Sequence, residues 1–399
     1  MTGNLRDRLK RIQLVKPAVR STHHAAGDSD FSFFTGQGWV SAGYLTLRYE
    51  AAGGGDIVLP ATMPEAAGIV MPGITNTTAY EDLLFFDLET SGLSGGAGTL
   101  AFLAAFGRLI PAASAGPKTT RYKIHLTQYL LLDYPGESDF VGAMLGEFNS
   151  NSTIVSYNGK SFDSQILKTR CLMNGMIPPD YRHADLLHPA RRLWKKILPD
   201  CSQGTIETAI LGIDRTGDIP GAMAPEIWFS FLKNANDDTH AALLKIAEHN
   251  RRDITGLAAI FSAMTRIASD PRAATKAINF DLESLAIRWY AMSGTTGQKL
   301  LQYAAETGHH RAGLQYAYAL LKAGKYDEGR EWLLRTASAE QPPLQAAALR
   351  ALAIDSEHRL KDAAEALSFT EQGLALLTPE SPRREEFERR RLRLKSRLK

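Results

Sequence analysis

Short apolar runs separated by polar, Gly-rich and Pro-rich segments fill the first two thirds of the chain. Residues 83–90, LLFFDLET, form an apolar run that ends in polar residues, which is typical of a central strand buried on both faces. Residues 121–132 alternate well enough for another strand. Residues 99–108 are taken as a strand between these two, although LAFLAAF alone fits a helix equally well. Strands in direct succession favour hairpin pairing.

The pattern changes after residue 136. It predicts helices over 137–149 and 161–175 with a strand over 153–156 between them, an order that favours crossover connections. Together these elements predict a mixed β-sheet flanked by helices, which is a fold of the α/β class. Residues 241–267 predict a long helix, because apolar residues recur near the helical period at Leu244, Ala247, Ile254, Leu257 and Ile260.

The last third of the chain has no strand signal and contains an internal repeat. A shift of 34 residues aligns Ala317 with Ala351, Leu320 with Ile354, Tyr326 with Leu360, Gly329 with Ala363, and Leu333 with Leu367. This is the period of a tetratricopeptide helix pair, which predicts an all-α repeat domain. The alternative is an ordinary helical bundle with a chance offset.

These patterns divide the chain into four parts. Residues 1–40 are a basic and polar leader, 41–80 a small β extension, 81–270 the α/β domain, and 278–399 the helical repeat domain. The C-terminal helix is strongly basic from Arg389 onward. It is either a solvated capping helix or a contact for nucleic acid.

Composition narrows the class of protein only modestly. With 399 residues, 44% of them hydrophobic, the chain is long enough for two domains, and its net charge of +3 permits a nucleic-acid partner without requiring one. Cys171 and Cys201 are too few for a disulfide framework or a zinc site, which favours a reducing compartment. No run approaches the roughly 20 apolar residues of a membrane helix. We therefore expect a cytoplasmic protein that does not enter a membrane.

The candidate chemistry begins with two acids at the end of the first central strand. Side chains two residues apart on a strand point to the same face, so Asp87 and Glu89 are expected to project together. Two carboxylates on one strand can offer several oxygen ligands to a metal ion. A solvated strand end is the alternative. The turn that follows begins at Thr90, where a ligand could approach the backbone closely.

A third acid lies in the segment YNGKSFDSQIL, which predicts strand, turn and helix. Asp163 falls in the first turn of that helix, where a carboxylate also stabilises the helix end by itself. Asn158 in the turn is suited either to a local hydrogen bond or to a substrate contact. Asp185, in HADLLH, is a further acid that could support the site without binding the metal directly.

The fourth acid lies on the predicted long helix. His249 and Asp253 are four residues apart and share one face. An imidazole beside a metal-binding carboxylate could accept a proton from an attacking water near neutral pH. A cluster of solvated surface charges is the alternative.

Taken in order, the segments FFDLETSGL, YNGKSFDSQIL and HNRRDITGL resemble the three exonuclease motifs of the ribonuclease H-like, DnaQ-type superfamily with four conserved acids. More narrowly, DLETSGLSGGAGTLAFL, HADLLHPARRLW and CSQGTIETAILGIDRTGDIPG resemble the YprB-type ribonuclease H-like family, whose members can carry a C-terminal tetratricopeptide region. The resemblance covers residues 80–267. It implies a mixed five-stranded sheet with helices and two bound cations, Mg²⁺ or Mn²⁺.

The resemblance also implies residue roles. Asp87 would bridge both cations, Glu89 and Asp253 would bind the cation on the nucleophile side, and Asp163 would hold the second cation, partly through water. His249 would be the general base. The spacing departs from the superfamily here, since its histidine subtype places His five residues before the last Asp and its tyrosine subtype places Tyr four before. One residue of slip is a rotation of roughly 100° on a helix, which predicts a poorer reach for His249.

The sequence therefore predicts a metal-dependent 3′–5′ exonuclease that acts on DNA or RNA, with helical repeats that bind a protein partner or extend the substrate path. One alternative is a scaffold that binds nucleic acid or protein through a weakly active or inactive nuclease fold. Another is a structure-specific endonuclease with the same catalytic residues. Four clustered acids favour an enzyme over the scaffold, because unpaired buried carboxylates are costly to keep.

Overall fold

A mixed β-sheet lies at the centre of the computed structural model, which describes residues 28–53, 55–92, 98–116 and 118–399. Its strands are β1 (Val40–Gly43), β2 (Thr46–Ala52), β3 (Ile57–Pro60), β4 (Leu83–Thr90), β5 (Ala101–Gly116), β6 (Thr119–Leu131), β7 (Thr153–Ser156) and β8 (Arg182–Asp185). The order across the sheet is β1-β2-β6-β5-β4-β7-β8, and β3 also pairs with β6. The β4–β7 and β7–β8 pairings are parallel, and the others are antiparallel.

Helices follow or cover these strands. They are α1 (Asp28–Thr35), α2 (Ala67–Val70), α3 (Glu137–Leu145), α4 (Asp163–Met173), α5 (Leu187–Trp194), α6 (Gln203–Ala209), α7 (Ala224–Lys233), α8 (Asp237–Ser269) and α9 (Pro271–Ala274). From there the chain is helical: α10 (Leu282–Ser293), α11 (Thr295–Glu306), α12 (His310–Lys322), α13 (Tyr326–Ala337), α14 (Pro342–Asp355), α15 (Ala363–Ala375) and α16 (Arg384–Arg397). The predicted fold class is confirmed: an α/β part with a mixed sheet, then a helical region.

The sheet is wider than the resemblance implies. Among the described residues it has eight strands rather than five, because β1, β2 and β3 extend it beyond β6. Strand β6 has 13 residues, so β2 pairs along its second half while β3 pairs along its first half. The segment predicted as a small β extension therefore pairs with the same sheet as the acids. The four domain limits stay a prediction.

The structure differs from the predicted leader over residues 28–40. Residues 1–27 lie outside the described part, but Asp28–Thr35 is helical, and Phe34 and Trp39 are buried. Phe34 packs edge-on against Trp39 and Phe231. The sequence lacks a helical period here, and burial of two large aromatic side chains supplies the stability instead.

Strand β4 divides its side chains between the two faces of the sheet. Leu84, Phe86 and Leu88 belong to the core on one face, whereas Phe85 belongs to the core on the other face, which contains Phe261 of α8. Phe85 meets Phe261 of α8 edge-on, with ring centroids 5.7 Å apart. By the alternation of a strand, Asp87 and Glu89 lie on the face of Phe85. The acids of β4 thus face α8.

A glycine allows the close approach of α8 to the sheet. Gly107 of β5 pairs with Phe85, and a Cβ atom there would lie 2.5 Å from Cγ2 of Ile254. Any side chain at this position would push α8 outward. The close contact fixes the distance at which α8 presents its polar face to β4.

The basic C-terminal helix packs onto the helical region through its own charges. Phe387 and Leu394 are buried, and Arg390, Arg393 and Arg397 all donate to the carboxylate of buried Glu357. These contacts favour the capping interpretation for this face of α16. The tetratricopeptide assignment stays a prediction. Within the residues that the structure describes, no helix combines the length and the apolar character needed to cross a membrane.

Candidate metal centre

Two carboxylates project from β4 toward α8. Glu89 is buried and Asp87 is partly buried. Burial raises the pKa of Asp87 well above its ordinary value, and the charges of Asp163, Asp253 and Glu89 raise it further, in that order. Burial also raises the pKa of Glu89, followed by the charges of Asp253 and Asp163. The four acids are therefore close enough to repel one another.

Asp163 begins α4 and is 5% exposed. A Cβ atom on Gly159 would lie 2.7 Å from its Oδ2, so the turn before α4 approaches this carboxylate as closely as a glycine allows. Burial raises the pKa of Asp163 to about 7, and the charge of Asp185 adds to this effect. A carboxyl that is so costly to ionise is suited to a bound cation.

Asp253 and His249 lie on one face of α8, as their spacing predicts. Nε2 of His249 is 3.2 Å from Oδ2 of Asp253, and ligand atoms of Glu89, His249 and Asp253 all lie within 4.8 Å of one another. His249 therefore lies beside Glu89 and Asp253, and its role as general base stays a prediction. Residues four apart on a helix lie on the same side, and here that side faces Glu89.

We call Asp87, Glu89, Asp163 and Asp253 the four-acid cluster. In the described part of the chain, Asp87, Glu89 and Asp163 have no ion pair with lysine or arginine, and Arg215 alone pairs with Asp253. Convergent, buried carboxylate oxygens with so little positive charge fit a hard divalent cation, for which oxygen ligands are preferred. The donor set thus fits the predicted metal, while the kind and number of cations stay predictions.

Asn250 is a residue of the site that the sequence analysis missed. Its Nδ2 donates to Oδ2 of Asp87 at 2.7 Å, and its Oδ1 accepts from Nε2 of Gln128 at 2.9 Å. The second bond orients the amide so that its donor faces Asp87. Asn250 precedes Asp253 by three residues, and this helical spacing is the signal that could have identified it.

Arg215 joins Asp253 of the four-acid cluster to two carboxylates beside it. It donates through Nη2 to Oδ1 of Asp253 at 2.5 Å and through Nη1 to Oδ2 of Asp218 at 2.6 Å, and its Nε donates to Glu207. Glu207 is fully buried, which raises its pKa, while Arg215 acts in the opposite direction. Arg215 and Glu207 both lie in the segment CSQGTIETAILGIDRTGDIPG. The sequence alone does not show which charges these two residues pair with, because the pairing depends on the tertiary structure.

Asp218 orients His249. Its Oδ1 is 2.9 Å from Nδ1 of His249. Burial acts to raise the pKa of Asp218, but hydrogen bonds from Arg215 and His249 leave it below its ordinary value. Because an ionised carboxylate only accepts, Nδ1 carries the proton in this pair. Nε2, the other ring nitrogen, lies on the side of the four-acid cluster, 3.2 Å from Oδ2 of Asp253.

The remaining predicted residues lie around the β7–α4 turn and the end of β4. Asp185 accepts from the backbone N–H groups of Asn158 at 2.9 Å and Lys160 at 3.0 Å, so it holds the turn in place. Asn158 is exposed and has a φ of 65°, a left-handed conformation that asparagine tolerates. The hydroxyl of Thr90 donates to the carbonyl of Gly92 at 2.9 Å, within its own turn. Substrate contacts for Thr90 and Asn158 stay predictions.

Comparisons with known proteins agree with this fold. The family model of the RNase_H superfamily matches residues 84–265, which include all four acids. Among solved structures, the family B DNA polymerase from the hyperthermophilic archaeon Pyrobaculum calidifontis matches 53% of this chain at 15% identity and a TM-score of 0.30. The chain spans only 29% of that polymerase, and the likeness is weak.

The relationship to a curated protein is closer. The uncharacterized protein YprB from Bacillus subtilis (strain 168) is 32% identical over 304 residues, which cover 74% of this chain and 69% of YprB. This match extends well beyond the residues of the RNase_H superfamily model. The chain therefore belongs to the YprB-type ribonuclease H-like family, with a ribonuclease H-like nuclease fold that contains a candidate acidic metal site.

Proposed function

We propose that this protein is a metal-dependent 3′–5′ exonuclease that hydrolyses phosphodiester bonds of DNA or RNA by a two-metal mechanism. The observation that carries the proposal is the four-acid cluster: four carboxylates converge in a buried place, on a nuclease fold, with one arginine for counter-charge. A site built only for stability would pair these charges within the protein.

Asp87, Glu89, Asp163 and Asp253 would hold two divalent cations, Mg²⁺ or Mn²⁺. When bound, such cations lower the pKa of a water nucleophile and stabilise the charge that develops on the phosphoryl oxygens. The chain itself supplies the placement of the carboxylates. Asn250 orients Asp87 through its hydrogen bond, and Arg215 fixes one oxygen of Asp253.

His249 is the proposed general base. Asp218 keeps the proton on Nδ1, so Nε2 is the atom that accepts a proton from water. Gly221 leaves space beside this atom, because a Cβ there would lie 3.0 Å from Nε2. The segment that carries Arg215, Asp218 and Gly221 thus positions both Asp253 and His249.

The proposal is tested on end-labelled single strands, duplexes and RNA, with the purified protein and Mg²⁺ or Mn²⁺. We expect release of mononucleotides from the 3′ end by the wild type, and loss of this activity in Asp87→Asn. Asp180→Asn, which removes a carboxylate from an exposed loop, is the matched control and should keep full activity. Internal cleavage would replace the exonuclease with an endonuclease, and binding without any cleavage would favour the scaffold.

A second experiment addresses the base. His249→Ala should lower turnover by about 10² or more, since a positioned general base usually contributes that much. Asp218→Asn should lower turnover less and change its pH profile, because the ring loses its carboxylate partner but keeps its place on α8. A rate within a few fold of the wild type for His249→Ala would assign the proton transfer elsewhere.

A further inference from the structure

A cavity of 340 Å³ lies where α5 meets α10, and no predicted site residue lines it. The cations around it are Arg191, Arg192, Lys195, Lys196 and Arg288. Resting on the proposed function, we infer that this cavity binds a backbone phosphate of the nucleic-acid substrate away from the four-acid cluster.

The cavity combines an apolar floor with a cationic rim. Val70, Leu193 and Leu285 line it and are buried in the core. Around them, Arg191 and Arg192 come from α5, Lys195 follows that helix, and Arg288 comes from α10. An apolar floor accepts the stems of long cationic side chains and the sugar of a nucleotide, while the charged groups remain at the opening.

The charges of this rim are largely uncompensated. Lys196 pairs with Asp281 at 2.7 Å, but among the described residues Arg191, Arg192, Lys195 and Arg288 have no carboxylate partner. Burial lowers the pKa of Arg192, and the charge of Arg288 lowers it further, so these two guanidinium groups repel each other. Arg288 is held in place by a hydrogen bond from its Nε to the carbonyl of Ile69 at 3.3 Å. An anion between the two guanidinium groups would remove the repulsion.

The position of the cavity relates it to the four-acid cluster. Helix α5 begins two residues after Asp185, whose carboxylate holds the turn that approaches Asp163. Arg191 is close enough to Tyr157, at the start of that turn, to oppose the rise in the tyrosine's pKa that burial causes. From Leu187 to Lys195 the chain rises about 12 Å along the axis of α5. A strand bound at the four-acid cluster would have to follow α5 to reach the cavity, so only a substrate of several nucleotides would contact both.

The chemistry of the rim favours phosphate recognition without base recognition. Guanidinium groups match the oxygens of a phosphate with paired N–H donors. The residues that line the cavity include no aromatic side chain on which a base could stack. We expect a contact that strengthens binding of any sequence, and that is used only by substrates long enough to reach it.

The test uses the double variant Arg192→Gln/Arg288→Gln in the full chain. In an Asp87→Asn background, which prevents turnover, a fluorescent 20-nucleotide single strand should bind at least tenfold more weakly than to Asp87→Asn alone. The slope of log affinity against log salt should fall by about 0.7 to 1.4, the value for one or two lost phosphate contacts on a single strand. The matched control Arg266→Gln/Arg311→Gln removes the same charge from exposed positions elsewhere and should change affinity less than twofold.

A short substrate separates this inference from the proposed function. The p-nitrophenyl ester of thymidine 5′-monophosphate is too small to reach the cavity, so wild type and the double variant with Asp87 intact should hydrolyse it equally. If the wild type hydrolyses neither this ester nor the 20-mer, the proposed function fails. If the wild type hydrolyses both substrates, but Arg192→Gln/Arg288→Gln and its matched control variant bind the 20-mer equally, the cavity is not a phosphate site. Competition by an acidic peptide and not by an abasic oligonucleotide would likewise overturn it.

Discussion

Two buried charge clusters in this molecule are built in opposite ways. In the helical region, the single carboxylate of Glu357 receives hydrogen bonds from Arg390, Arg393 and Arg397, and the pKa of Glu357 is lowered overall although burial acts to raise it. In the α/β part, only Asp253 of the four carboxylates pairs with an arginine. Burial raises the pKa of Asp87, Glu89 and Asp163, and the charges of other acids in the cluster raise the pKa of Asp87 and Glu89 further.

The difference shows what each cluster is for. A buried charge that the protein pairs fully contributes to stability and specificity of packing, and needs nothing from outside. A set of like charges that the protein leaves unpaired costs stability until an ion of opposite charge binds. The Glu357 cluster is of the first kind and the four-acid cluster of the second. This comparison predicts which substitutions affect activity and which affect folding.

Activity should separate the two clusters most strongly. Asp87→Asn removes an oxygen ligand at the centre of the four-acid cluster and should lower the rate of phosphodiester cleavage by about 10²–10³, the usual value of one preorganised electrostatic contact. Glu357→Gln should leave the rate within twofold at a temperature where it is folded. Initial rates on one labelled oligonucleotide, at saturating metal, measure both. Equal losses would mean that the clusters are not functionally distinct.

Stability without metal should change in opposite directions. Glu357→Gln leaves three arginines without their shared acceptor and should lower the free energy of unfolding by about 2–3 kcal/mol. Asp163→Asn removes a repelled, buried charge and should raise it. Urea unfolding in a chelator gives both values. Adding Mg²⁺ should stabilise the wild type more than Asp163→Asn, and an equal response in the two would place the cation elsewhere.

The pH dependence should follow the raised pKa of Asp163. Its pKa is about 7 in the folded protein and 3.8 ordinarily, so between these values the folded state binds the extra proton. The stability that this proton contributes is present at low pH and is lost as pH rises through 7. Without metal, the wild type should therefore fall behind Asp163→Asn by about 2–3 kcal/mol between pH 5 and pH 7.5. Urea unfolding of both proteins at several pH values tests this, and a constant difference would contradict it.

The part of the site that the sequence predicted follows from the local geometry of strands and helices. Asp87 and Glu89 follow from the two-residue period of a strand, and the shared face of His249 and Asp253 follows from the four-residue spacing of a helix. The order of elements gave the mixed sheet and the helical region. These features depend on residues close together in the chain, where geometry is fixed by the backbone alone.

The part that the sequence did not predict depends on tertiary contact. Arg215 and Asp218 have no periodicity, and their partners Asp253 and His249 are 38 and 31 residues away. The burial of Phe34 and Trp39, in a segment predicted as a leader, also depends on distant elements. For His249, the family spacing predicted a poorer reach to the attacking water, and that reach stays a prediction. Its position near Glu89 is set by where α8 lies against β4.

The smallest expected effect concerns Arg215, the one arginine that pairs with an acid of the four-acid cluster. Gly256 lies inside α8, and a Cβ there would be 1.7 Å from Oε1 of Glu207, the buried partner of Arg215. Alanine normally stabilises a helix by up to about 1 kcal/mol relative to glycine. Here the displaced carboxylate should reverse the sign, so that Gly256→Ala lowers stability by about 1–2 kcal/mol.

Gly204→Ala is the matched control for that substitution, because Gly204 is also helical and a Cβ there meets nothing within 4 Å. It should raise the free energy of unfolding by a few tenths of a kcal/mol. Urea unfolding distinguishes the two variants, and initial rates show whether Arg215 still holds Asp253. If Gly256→Ala is as stable and as active as Gly204→Ala, Glu207 moves without cost, and the four-acid cluster does not depend on the position of its arginine. If both stability and rate fall, the protein maintains this single counter-charge at a fixed place, as a site that must still admit a cation requires.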